Sequence, residues 1–184
     1  MAALAELLAG FGVPVGGSDT HEHFFTEEGL RRRSIRYTEG FSPQNIPDDV
    51  DTVIYSTAYT PEGNEEVASA LARAQTTSLR VLSYPEAVGE LTRERLSILV
   101  CGTHGKTTTS ALLAETLTFL NEDPLALVGS SIAAWGGNAL SGKGKYFVLE
   151  ADEYQNKFRH YEPWSVLLTS VDWDHPDFFP NAES

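Results

Sequence analysis

Short apolar runs closed by polar, glycine- or proline-bearing turns alternate with helix-forming stretches along the whole chain. The run from Met1 to Leu8 predicts a helix stopped by Gly10-Phe11-Gly12, and Val13-Pro14-Val15 predicts a short strand closed by Gly16 to Asp19. Thr26 is placed to cap a helix over Glu27 to Arg33, which has acids in its first turn and three arginines in its last. A weak strand is expected over Ser34 to Tyr37, then a loop from Phe41 to Asp49, then a strand from Asp51 to Tyr55. Pro61 should open a helix to about Ala74, Arg80 to Ser83 a strand, and Pro85 a helix to about Arg93. Leu96 onward gives a strand, a glycine turn and a helix to about Leu120, and Leu125 to Val128 gives another strand. After the glycine-rich turns at Gly136-Gly137-Asn138 and Ser141 to Gly144, strands are expected at Lys145 to Leu149 and Trp164 to Val171. Such alternation predicts an α/β fold with parallel sheets. The polar stretch Thr92 to Arg95 is the expected linker, dividing the chain into units 1–94 and 95–184.

Composition narrows the partners. With 184 residues, 41% of them hydrophobic, the chain can build an ordinary core or two small ones. Its formal charge of −13 repels nucleic acid and anionic membrane, so an anionic ligand must be held by local groups. One cysteine rules out an internal disulfide, and neither a cleavable signal pattern nor a long apolar span is present. A reducing, cytoplasmic setting is expected.

The chemistry concentrates in Leu96 to Ser110, LSILVCGTHGKTTTS. A strand, a Gly-x-x-Gly-Lys-Thr turn and a helix follow one another there, the order that a bound triphosphate needs. Gly102 and Gly105 let Thr103, His104 and their neighbours turn backbone N–H groups inward, and the helix beginning near Lys106 aims its positive end at the phosphates. Lys106 would add a cation near the β and γ phosphates, and Thr107, followed by Thr108, would set its hydroxyl on the magnesium that the nucleotide brings. The loop is a variant, because Val100 stands where the general pattern has its first glycine. Cys101 is assigned no chemistry. Two later strands, both of which read as buried, end in acid-rich tips, Glu150-Ala151-Asp152-Glu153 and Asp172-Trp173-Asp174-His175, as a metal-nucleotide site would require. Ser18 and Asp19 close one early strand and Ser56 and Thr57 another; Asp19 suits equally a ribose contact and a solvated turn.

GTHGKTTT, EADE and the Asp-His pair, in that order and spacing, resemble the Mur ligases of bacterial cell-wall synthesis. The likeness covers nearly the whole chain. It implies a Rossmann-like UDP-binding domain followed by an incomplete P-loop α/β ATP-binding domain. The implied activity joins L-alanine to UDP-N-acetylmuramate at the expense of ATP; the alternatives are addition of a tripeptide during cell-wall recycling and a non-catalytic nucleotide-binding piece. By the same resemblance Lys106, Asn138 and His175 serve the phosphoryl transfer, and Thr107, Glu150 and His175 serve Mg2+. Gly102 to Thr108 hold ATP, and Ser18, Asp19, Ser56 and Thr57 line the UDP part of the sugar substrate.

The departures from that pattern are specific. Thr169-Ser170 stands where the family has Thr-Asn, and Glu150 to Tyr154 is closer to the tripeptide-adding branch. The family begins with a strand and a glycine turn ahead of the helix that starts here at Met1, and it continues beyond Ser184. The resemblance therefore implies a fragment, with an unpaired edge on the strands ending at Asp19 and Ser56 and little ligase activity of its own.

Overall fold

The computed structural model describes residues 1–22, 27–152, 154–173 and 181. Thr26, Glu153, Asp174 and His175 fall outside them. Contacts divide the chain into two units, Met1–Ala87 and Val88–Ser184.

The first unit runs α1 (Ala2–Gly10), β1 (Gly16–Asp19), α2 (Glu27–Arg32), β2 (Arg36–Glu39), a 3-10 turn at Pro43–Asn45, β3 (Thr52–Tyr55), α3 (Glu65–Ala74) and β4 (Arg80–Ser83). β1 pairs in parallel with β2, and β3 with β4, as two separate ladders. Among the described residues β1 and β3 are thus each bonded along one edge only, and their length of four residues limits the exposed ladder.

Three boundaries differ from expectation. β1 begins at Gly16, where pairing with Arg36 starts, and not at Val13; Pro14 has no N–H to give a ladder. β2 starts at Arg36 because Ser34 takes a left-handed φ of 55° while the Ser34 and Ile35 amides still bond back to α2 at Arg31 and Leu30. α3 starts at Glu65 and not at Pro61, since the Asn64 carboxamide oxygen accepts from the Glu66 and Val67 amides at 3.0 and 3.1 Å. A side-chain cap of that kind outweighs proline's preference for a first turn.

α1 buries Leu4 and Leu7 together with a carboxylate, Glu6, whose nearest cation is Arg33 at 3.9 Å. Burial raises the Glu6 pKa above its ordinary 4.5, opposed by Arg33 and Arg32. The folded chain therefore keeps this proton to higher pH than the unfolded one. Its stabilising effect is full below 4.5 and is lost as pH rises through the raised folded value. Glu6→Gln should flatten that slope and raise the melting temperature by about 2 °C at pH 7.5, read from thermal melts between pH 4 and 8. A variant less stable at every pH would mean that pairing with Arg33 outweighs desolvation.

α4 (Tyr84–Arg93) crosses the division between the units and leads to β5 (Leu96–Cys101). The stretch Thr92 to Arg95 is well held: Thr92 is buried, its hydroxyl donates to Gly89 O and accepts from the Glu162 amide, and Ser97 donates to its carbonyl. The second unit continues with α5 (Lys106–Phe119), β6 (Leu125–Ile132), β7 (Gly137–Ser141), β8 (Tyr146–Glu150), a 3-10 segment at Tyr154–His160 and β9 (Ser165–Leu168). Its five strands lie in the order β7-β6-β8-β5-β9. Val100, Ala126 and Val148 from the three inner strands pack with Ala114 of α5 to form the core.

The parallel expectation needs one correction and the buried one another. β7 runs antiparallel to β6, because the glycine-rich stretch turns the chain straight back on itself. β9 is shorter than predicted and every one of its residues is exposed, as befits a strand that, among the described residues, lies at the sheet's edge beside β5; its apolar run reads as buried in the sequence.

Candidate nucleotide-phosphate and metal site

The loop leaves β5 at Cys101 and enters α5 at Lys106, so it sits at the carboxyl edge of the sheet. Gly102 has φ 125° and Gly105 φ 79°, conformations that a side chain would strain. The α5 ladder starts with the Thr109 amide on Gly105 O at 3.0 Å, which places the N–H groups of the first turn ahead of it, toward the loop. Lys106 folds its ammonium over the loop, donating to Gly102 O at 2.6 Å and Thr103 O at 3.4 Å. His104 and Thr108 are exposed.

Glu150 is the last residue of β8, and its backbone pairs with Val100 of β5, directly under the loop. This register brings the acidic tip to the phosphate loop although 43 residues separate them: Thr107 Oγ1 donates to Glu150 Oε1 at 2.8 Å. The second carboxylate oxygen accepts from the Gly129 amide at 2.6 Å. Adjacent oxygens of an octahedral magnesium at about 2.1 Å stand roughly 2.9 Å apart. The Thr107–Glu150 separation fits that edge, and a hydroxyl with a carboxylate is an oxygen donor set that a hard cation prefers.

The β9 tip clasps the loop from the other side. The Thr103 amide donates to Ser170 O at 3.3 Å, and the His104 amide to Ser170 Oγ at 2.9 Å. Thr103 Oγ1 donates to Asp172 O and accepts from the Asp172 amide, while Thr169 Oγ1 lies within hydrogen-bond reach of both Cys101 O and His104 O and gives its one proton to either. Ser170, where the family pattern has asparagine, therefore holds the loop through its hydroxyl and its carbonyl. Asp172 takes part through its backbone.

Asn138 lies near the start of β7, on the same sheet edge and two strands away from Glu150. Its partner in the expected catalytic set, His175, is outside the described residues. Cys101 is half-buried and its carbonyl is taken by Thr169.

In the first unit Ser18 and Asp19 end β1, and Ser56 and Thr57 follow β3. The Asp19 carboxylate accepts from the Thr20 amide, and the Ser56 hydroxyl from the Ala58 amide. Ser18 donates to Glu66 Oε1 at 2.9 Å, and Glu66 Oε2 also accepts from the Ser42 amide at 2.9 Å and Asn45 Nδ2 at 3.0 Å. One carboxylate thus ties the β1 tip to the loop after β2. Sequence reasoning passed over Glu66, Gly129 and Thr169, because partners 48, 21 and 65 residues away leave no local spacing signal.

Residues 1–96 match the Mur ligase family, catalytic domain, and residues 100–184 the Mur ligase middle domain. The chain belongs to the Mur ligase family. Among individual proteins it is 40% identical over all its 184 residues to the UDP-N-acetylmuramate–L-alanine ligase of Treponema pallidum (strain Nichols), covering 37% of that protein. It is likewise 40% identical over 184 residues to the ligase of the same name from Desulfitobacterium hafniense (strain Y51), covering 39% of it. The chain thus spans under two-fifths of the length of these relatives. Of solved structures, UDP-N-acetylmuramate-alanine ligase of Thermotoga maritima superposes with a TM-score of 0.82 at 28% identity, over 98% of this chain and 41% of that one. The tripeptide-adding UDP-N-acetylmuramate:L-alanyl-gamma-D-glutamyl-meso-diaminopimelate ligase from Neisseria superposes at 0.84 and 27% identity, over 100% and 60% of the two chains.

Proposed function

We propose that this chain is the substrate- and ATP-binding part of a ligase that joins L-alanine to UDP-N-acetylmuramate in peptidoglycan synthesis. The observation that carries the reading is the Thr107 hydroxyl set on the Glu150 carboxylate beside a lysine-bearing phosphate loop. The lactyl carboxylate of the sugar attacks the γ phosphorus and ADP leaves; the amine of L-alanine then displaces phosphate from the acyl phosphate to give the amide. Lys106 leaves its carbonyl partners to follow the phosphates, and the first-turn amides of α5 hold them. Thr107 and Glu150 would hold magnesium, which neutralises charge on the transferring phosphoryl group. Asn138 and His175 are assigned to the same transfer, and Ser18, Asp19, Ser56 and Thr57 to the UDP moiety. The setting is cytoplasmic; no helix among the described residues is long and apolar enough to cross a membrane.

L-alanine is preferred over the tripeptide because the relatives at 40% identity are named for alanine. The test is phosphate release from ATP and UDP-N-acetylmuramate by the full protein its gene encodes, with L-alanine or the tripeptide as amine. Release that depends on L-alanine is expected. Release driven by the tripeptide alone would move the protein to the recycling branch, and release without any amine would refute the ligase reading.

A further inference from the structure

We infer that Gly129 is a positioning residue for the metal carboxylate: its amide fixes Glu150 in the orientation that presents Oε1 to Thr107. The inference rests on the magnesium-nucleotide reading of this site. β6 and β8 pair in register through Leu125–Phe147, Ala126–Val148 and Leu127–Leu149, and there the ladder stops. The β6–β7 register also shifts between Leu127 and Ile132, so β6 is freed from both neighbours at this point. The Gly129 amide, two residues past the last pair, turns from the β8 backbone to the Glu150 side chain and donates to Oε2 at 2.6 Å.

A hydrogen bond to one oxygen restrains a carboxylate's rotation and so orients the other oxygen. Here Oε1 is aimed at Thr107, 2.8 Å away. The same approach explains the residue type. A Cβ at position 129 would stand 3.1 Å from Glu150 Oε1 and 3.3 Å from its Cδ and Oε2, closer than side chains ordinarily pack. Gly129 has no left-handed φ, so closeness to the carboxylate, and not backbone freedom, is what asks for glycine. Gly129 is an exposed residue, and the bond described for its amide is the one to Glu150.

Two measurements on the whole 184-residue chain test this. The first is amide hydrogen exchange in the absence of ligand. Gly129 should exchange at least about tenfold more slowly than expected for an exposed amide, and Glu150→Ala should remove that protection while leaving Ala126 and Leu127 protected. A Gly129 amide that exchanges freely in the wild type overturns the inference. The second is ADP affinity with and without magnesium. Gly129→Ala should leave metal-free affinity unchanged and reduce the gain from magnesium by about tenfold. Glu150→Gln should likewise reduce the gain from magnesium, and the double variant should lose no more of that gain than the larger single effect. An unaltered gain in Gly129→Ala, or additive losses, would overturn the positioning role. Absence of any magnesium-dependent gain in the wild type would instead refute the metal-nucleotide reading, with Gly129 protection still reporting the bond to Glu150.

Discussion

Lys106→Ala should abolish measurable ATP binding, a loss of a hundredfold or more, with the fold unchanged. The ammonium donates to Gly102 O and Thr103 O, two carbonyls of the loop itself, and Lys106 is not one of the buried residues of the described core. A phosphate chain loses the loop's lysine ammonium in a molecule whose formal charge of −13 otherwise repels it. Charge-assisted contacts of this kind are worth on the order of 3 kcal/mol in a partly enclosed site. Titration calorimetry with MgATP and a thermal melt without ligand check both halves. Unchanged affinity would remove the loop from nucleotide binding, and a melting temperature lowered by more than about 3 °C would make Lys106 structural.

The second large effect is expected at Gly102, and the contrast with Gly105 isolates its cause. Both glycines have positive φ. At Gly105 an added Cβ meets nothing nearer than Thr109 Oγ1 at 4.0 Å, so Gly105→Ala should cost only the left-handed backbone term, about 1 kcal/mol. At Gly102, with φ 125°, the same atom would overlap Thr169 Oγ1 and lie 2.7 Å from Ser170 O. Gly102→Ala must open the clasp between the loop and the β9 tip, or else displace the strand. Roughly 3 kcal/mol or more of destabilisation is expected, together with loss of nucleotide affinity. Equal melting temperatures for the two variants would show that the clasp does not hold the loop.

Much of the phosphate loop was legible in the sequence because its information is local. A buried run, two glycines with positive φ, a lysine and a helix start are set by neighbours in the chain, and β5, the loop and α5 formed where that pattern placed them. The end of β8 at Glu150 was legible for the same reason: three buried residues, Phe147, Val148 and Leu149, followed by an acid, describe a strand leaving a core. The Asn64 cap was overlooked in favour of Pro61, and the apolar letters of β9 suggested a burial that its place at the sheet edge does not provide.

What the sequence by itself determined was the type of most elements and the residues that end them, since backbone preference and hydrophobic period act over a few positions. What only the tertiary structure decided was which ends meet. Strand order sets β8 between β5 and β6, and this alone gives the Glu150 carboxylate one partner on each flank, Thr107 and Gly129. The Ser170 clasp arises in the same way, from the parallel β5–β9 register, whereas the Glu66 bonds come from the placing of α3 beside the β1 tip. Hydrogen bonds are short-ranged and directional, so their partners are chosen by the sheet's register and carry no period along the chain.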